Sequence, residues 1–155
     1  MEERKLGTLI DIAIEREEVA YAFYTSLMEK IDDQSVKDTL EFLANEEKKH
    51  REFLINYREG HYAATGMEMA DSIDYKIAEH LETPDPDKDV DSKDVYLIAA
   101  HRELQAYNFY RALAELHPDG DAKEMLLAIA SQELKHKEKV EYLYANTAFP
   151  QTAGG

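Results

Sequence analysis

The sequence contains no cysteine. That excludes disulfides, cysteine-ligated zinc, cysteine-ligated iron–sulfur clusters and thiol catalysis. It also contains no apolar run approaching the ~20 residues that a membrane span needs. Positive charge is scarce, with 18 Lys and Arg against 33 Asp and Glu, a formal net charge of −15. So acidic a chain is poorly matched to nucleic acid or to an anionic membrane surface. Residues 1–7 lead into an amphipathic segment and not into a signal-peptide apolar core. The expectation is a soluble cytoplasmic protein. The length of 155 residues fits one domain with a sizeable core.

What the sequence does contain is a repeat. Shifted by 86 residues, segment 12–57 lies over segment 98–143 without a gap. Ile12, Ala13, Arg16, Glu17, Ala20, Tyr21, Phe23, Tyr24 and Leu27 fall on Ile98, Ala99, Arg102, Glu103, Ala106, Tyr107, Phe109, Tyr110 and Leu113. Leu40, Ala44, Glu47, Lys49 and His50 fall on Leu126, Ala130, Glu133, Lys135 and His136. Two helical hairpins related in this way can pack about a pseudo-twofold axis, each supplying half of one central site.

The repeat carries a chemical pattern. In Glu47-Lys-Lys-His50 and Glu133-Leu-Lys-His136 a Glu and a His stand three apart, one turn along one helix face, where both can reach one metal ion. A Glu lies 30 residues before each pair, at Glu17 and Glu103. Two Glu-x-x-His pairs plus one Glu from each of two further helices form the ligand set of a four-helix di-iron carboxylate bundle. A charged helix face is ordinarily just solvated, and glutamate is abundant here. Yet the other histidines, His61, His80, His101 and His117, have no Glu three residues before them, and both pairs that occur are in register. Four carboxylates on an apolar stripe would each cost several kcal/mol to bury ionised, or would hold protons instead. Two divalent cations balance them.

Periodicity predicts four long helices. The first spans about 4–31, with Leu9, Ile10, Ala13, Ile14, Glu17, Ala20, Tyr21, Tyr24, Leu27, Met28 and Ile31 inward. The short turn at 32–34 makes the second helix antiparallel to it. Ser35 and Asp38 read as the capping box of that second helix, which runs to about Tyr57. Glu46 competes with Glu47 as an inward acid, but only Glu47 has the spacing to His50. Residues 59–92 form a long connection, loosened by Gly60 and Gly66, helical around 67–81 and then an acidic loop with Pro84 and Pro86. Asp85, Asp87 and Asp89 have the spacing of the first calcium ligands of an EF-hand, but Val90 and Tyr96 stand where Gly and Glu are needed, so a solvated loop is expected. The connection is long enough to cross the bundle and leaves the third helix either parallel or antiparallel to the second. The third helix runs from about 92–94 to His117, the fourth from about Ala122 to Tyr144, and residues 148–155 form a tail.

Hard carboxylate oxygens with one imidazole per metal suit iron or manganese; zinc prefers fewer ligands and more nitrogen or sulfur. Glu47 and Glu133, each tied to a His on its own helix, are expected to bridge, with Glu17 and Glu103 terminal. Two ferrous ions and four carboxylates are neutral together, and this balance favours reaction with an oxidant. Tyr24 and Tyr110 stand two turns beyond Glu17 and Glu103 and are placed to hydrogen-bond a ligand carboxylate. Ala20 and Ala106 leave room beside the metals for an oxidant.

The segments 13–24, 42–50, 75–78 and 133–136 together resemble the ferritin-like superfamily, and within it the rubrerythrin-like branch. The resemblance covers nearly the whole chain. It implies an all-α, ferritin-like four-helix bundle over residues 1–147 with a long connection between the second and third helices. It implies a site of two iron ions held by Glu17, Glu47, His50, Glu103, Glu133 and His136, in a homodimer or larger homo-oligomer. It further implies oxidation of the diferrous pair by H2O2 or O2, as in a peroxidase or ferroxidase, with an external electron donor. Non-enzymatic iron storage and a manganese catalase-like reaction are the alternatives. Two features depart from rubrerythrins proper. This cysteine-free sequence holds no rubredoxin-type iron site, and the extra glutamate of those proteins, three residues after Glu103, is here Ala106. The symmetric four-Glu, two-His set is closer to the ferroxidase centre of bacterioferritin.

Overall fold

The computed structural model describes residues 2–60 and 71–150, the side chains of residues 2–6 excepted. Among these residues five helices follow in order: α1 (Glu2–Met28), α2 (Gln34–Arg58), α3 (Ile77–His80), α4 (Ser92–Glu115) and α5 (Asp121–Ala148). No strand occurs among the described residues. The chain is therefore a helical bundle of the ferritin-like kind, built from two hairpins, α1–α2 and α4–α5.

The helix termini follow from capping chemistry. Asp33, not Ser35, caps α2: its side chain accepts the Ser35 amide at 3.0 Å. Asp38 instead accepts from Gln34 Nε2. Asp and Ser are near-equal caps, so the one standing where the chain is still extended takes the role. Asp91 and Asp94 form a reciprocal capping box on α4. α1 ends at Met28, three residues short of its expected end, in a tight turn where Glu29 and Lys30 bond back to Ser26 and Leu27. Ile31 is nevertheless buried beyond the helix. Gly120, at φ 152°, makes the turn into α5 that a side chain would strain. α5 runs four residues past Tyr144, to Ala148, and Pro150 bars further winding.

The core falls into two clusters, one at each end of the bundle. One joins Leu27 late in α1 and Ile31 just beyond it, Val36 and Leu40 at the start of α2, Val95 and Ile98 at the start of α4, and Val140 late in α5. The other joins Ile10 and Ile14 early in α1, Leu54 late in α2, Leu113 late in α4, and Leu126 and Ile129 early in α5. α2 and α4 thus both begin at the same end and run parallel, which settles the direction that residues 59–92 left open: the connection crosses the bundle. Between the two clusters lies the layer holding Glu17, Glu47, Glu103 and Glu133. Tyr21, expected inward, is 39 % exposed, because its position sits at the edge of the α1 stripe beside the α2 side chains Lys48 and Arg51.

The crossing segment departs from the helix expected at 67–81. Residues 61–70 lie outside the described part. From 71 to 76 the chain is irregular, Lys76 is left-handed at φ 55°, and only Ile77–His80 winds. α5 takes over the hydrogen bonding that a helix would have supplied. Glu138 accepts the Ile73 amide at 2.9 Å and Glu141 accepts the Ala78 amide at 2.8 Å. Lys137, fully buried, bonds Asp74, Glu79 and Glu141 at 2.6, 2.8 and 3.0 Å. Burial works against its charge, but the three carboxylates prevail and hold its pKa above the ordinary value. Among the described helices none is long and apolar enough to cross a membrane.

Candidate metal centre

Each long helix contributes to one buried layer. Glu17, Glu47, His50, Glu103, Glu133 and His136 are each at most 4 % exposed. Their ligand atoms form two overlapping groups, Glu17, Glu47, His50 and Glu133 in one, and Glu47, Glu103, Glu133 and His136 in the other, with all atoms of a group within 4.8 Å of one another. Glu47 and Glu133 belong to both. The repeat maps either group onto the other, so the helical hairpins meet about a pseudo-twofold axis at this layer.

The layer is unsatisfied as protein alone. Glu17 Oε2, Glu47 Oε1, His50 Nδ1, Glu103 Oε2, both Glu133 oxygens and His136 Nδ1 are buried without a hydrogen-bond partner. Buried polar atoms are normally paired. His50 Nδ1 lies 3.0 Å from Glu133 Oε1, close but without the alignment of a hydrogen bond. Oxygen-rich donors aimed at two shared points, with one imidazole nitrogen for each, suit a pair of divalent ions.

The remaining donor capacity of the six residues is engaged outward. Tyr110 donates to Glu17 Oε1, and Tyr24 donates to Glu103 Oε1 at 3.0 Å. Each tyrosine thus serves the glutamate of the opposite hairpin, which an antiparallel α1–α4 pair requires. His50 Nε2 donates to Gln132 Oε1 at 2.9 Å, which turns Nδ1 to the centre. His136 Nε2 faces Glu46 Oε1 at 3.6 Å, an ion-pair distance. Glu46 and Gln132 occupy equivalent positions in the repeat, each directly before a shared glutamate. Glu46 therefore does not compete with Glu47; it stands behind the histidine of the other hairpin. Sequence reasoning missed Gln132 and placed Glu46 only as a rival of Glu47, although one step along a helix from an inward residue turns the side chain about 100° toward the neighbouring helix.

Without metal the layer holds protons. Burial raises the pKa of Glu17, Glu47 and Glu103, the last to about 8, with neighbouring carboxylates adding to the effect. Burial would lower His50, but Glu133 and Glu17 outweigh it and lift it to about 9. His136 is raised in the same way, with Glu103 and Glu133 overcoming burial. Glu133 goes the other way: burial opposes its charge, but His50 and His136 keep it ionised. Glu46 is held down at about 2, chiefly by His136. Burial also pushes Tyr24 and Tyr110 well above the usual phenol range, with Glu103 and Glu17 beside them adding to it, so both stay protonated donors.

A cavity of about 250 Å³ opens between α1 and α4 and ends on Glu47 and Glu133, on the side away from the two histidines. Ala20 and Ala106 line it. Outside the layer, His117 is buried and donates Nδ1–H to Leu113 O, His101 bonds Leu81 O, and His80 is exposed; His61 lies outside the described residues. Asp74, Glu79 and Glu141 also converge, but Lys137 already fills their centre.

No curated protein and no solved structure matches the chain significantly. A family model described as Rubrerythrin matches residues 2–83, which is more than half of the chain and takes in α1, α2 and α3, with Glu17, Glu47 and His50. The second hairpin, carrying Glu103, Glu133 and His136, repeats that pattern about the same layer. Match and geometry agree that the chain belongs to the rubrerythrin family of di-iron carboxylate proteins.

Proposed function

We propose that the protein is a non-haem di-iron oxidoreductase that oxidises a diferrous pair with H2O2 or O2, in the manner of a peroxidase or ferroxidase. The observation that carries this is the overlap of two four-residue groups in Glu47 and Glu133, with their inward atoms unpaired. Glu17 and His50 would hold one ion, Glu103 and His136 the other, and Glu47 and Glu133 would bridge them. Bound there, two ferrous ions would supply the two electrons that reduce peroxide to water, and an external donor would restore them.

The protein's own groups do the rest. Tyr24 and Tyr110 orient the terminal carboxylates by donating a hydrogen bond to one oxygen and leaving the other inward. Gln132 fixes the tautomer of His50. The apolar clusters above and below the layer keep bulk water from the carboxylates, and the α1–α4 cavity gives access to them. That cavity brings a small oxidant to the bridging glutamates, opposite the imidazoles. Hard oxygen donors favour iron or manganese over zinc.

The test is metal content per chain after anaerobic ferrous loading and desalting, followed by peroxide consumption with an added reductant. Two irons per chain with many turnovers are expected, and Glu47→Ala with Glu133→Ala should abolish loading. Unchanged iron in that double variant would sink the assignment. Many irons per chain without turnover would point to storage, and O2 release without reductant to a catalase reaction.

A further inference from the structure

The α1–α4 cavity is larger than the proposed oxidants need. At about 30 Å³ per water in the liquid, its 250 Å³ would hold about eight waters. Peroxide would fill a small part of it. The volume lies just below the usual range for organic ligands, which points to a small one.

Two arginines flank the opening. Arg16 on α1 lies over the Phe109 ring of α4 at 4.3 Å, and Arg102 on α4 lies over the Phe23 ring of α1 at 3.6 Å. Both line the cavity, and among the described residues neither guanidinium has a carboxylate within ion-pair distance. Arg111 likewise has no carboxylate partner, but it bonds the Tyr107 hydroxyl at 2.8 Å. Arg51 and Arg58, by contrast, pair with Glu18 and Asp11. Stacking on a ring uses the flat face of a guanidinium and leaves its N–H edge free, and that edge matches a carboxylate in a two-pronged hydrogen bond. Arg102 is half-buried. Beside them, Ile12 and Val19 line the same cavity while 42 % and 52 % exposed, an apolar edge for a short hydrocarbon group.

We infer that this cavity is a binding site for a small organic monocarboxylate, clamped at its mouth by Arg16 and Arg102 with its apolar part against Ile12 and Val19. The inference rests on the di-metal reading. With two divalent ions the cavity floor is neutral, and Arg16 and Arg102 outnumber Glu15, which lines the cavity beside them.

The experiment uses the full chain loaded with Co(II), whose visible spectrum reports its ligands, and titrates it with benzoate. Benzoate should perturb the cobalt spectrum and bind saturably, whereas benzamide should show no binding. The double variant Arg16→Met with Arg102→Met should keep two cobalt ions and bind benzoate at least about tenfold more weakly. Arg16→Lys with Arg102→Lys should restore part of the loss, because charge returns without the fork. Two cobalt ions per chain with benzoate affinity indifferent to the arginines, or with no benzoate binding, would overturn this site alone. Fewer than two cobalt ions in the unaltered protein would overturn the di-metal reading and this one with it.

Discussion

At the scale of single residues, the centre depends on atoms that are not themselves aimed at metal. Tyr24 and Tyr110 each occupy one oxygen of a glutamate on the other hairpin. Replacing either by Phe removes the donor and leaves a buried carboxylate oxygen unpaired. Loss of such an outer contact commonly lowers metal affinity by about 10–100-fold. Tyr24→Phe and Tyr110→Phe should therefore each weaken cobalt binding by about tenfold, and by similar factors, since the repeat makes them equivalent. Competition titration against a chelator measures this; a variant that binds as tightly as the parent would refute the role. The equivalence is incomplete elsewhere, because His136 faces the carboxylate of Glu46 and His50 the carboxamide of Gln132. The six inward residues were legible from spacing alone: three residues is nearly one helical turn. The hydrogen-bond partner of each tyrosine was not, because it lies 79 and 93 residues away in the chain.

At the scale of elements, helix existence came from periodicity and helix ends from competition. The stripe of Leu40, Leu43, Glu47, His50 and Leu54 makes α2 readable, whereas Asp33 and Ser35 both offer a cap and only the backbone path selects Asp33. The crossing segment shows the stronger override. A helix near 67–81 agrees with local pattern, yet residues 71–76 stay irregular because Glu138 takes the Ile73 amide and Lys137 takes Asp74, with Glu141 and Lys137 holding Ala78 and Glu79 just beyond. Lys137→Met should detach this segment and leave Glu141 buried beside it without a cation. Breaking a buried ion pair by removing one partner costs about 3–5 kcal/mol. Urea unfolding should show a loss near the lower figure, because Asp74 and Glu79 are partly exposed. Unchanged stability would mean that the crossing segment is held by other contacts.

At the scale of the molecule, the buried carboxylate–histidine layer couples stability to pH. In the metal-free fold Glu103 titrates at about 8 against an ordinary 4.5, and His50 at about 9 against 6.5. Between about pH 6.5 and 9 the folded chain therefore binds more protons than the unfolded chain, and its stability falls as pH rises. The lowered groups, Glu46 and Glu133, act in the opposite sense but only below the ordinary carboxylate range. The melting temperature of the chelated protein should drop steadily from pH 6.5 to 9. The metal-loaded protein should show no such fall, because its layer is already deprotonated and metal binding strengthens as protons leave. A melting temperature that rises with pH in chelator would contradict the proton-holding layer.

The sequence by itself determined the four long helices, their repeat, and the inward face that carries Glu17, Glu47, His50, Glu103, Glu133 and His136. Those properties are set within one or two helical turns, where the backbone period places side chains without reference to the rest of the chain. The tertiary structure decided the parallel course of α2 and α4, the irregular crossing segment, the crossed tyrosine contacts and the arginine-flanked cavity. Each of these depends on which faces meet across the bundle, and that is settled by packing and by charges brought together only when the two hairpins close on one layer.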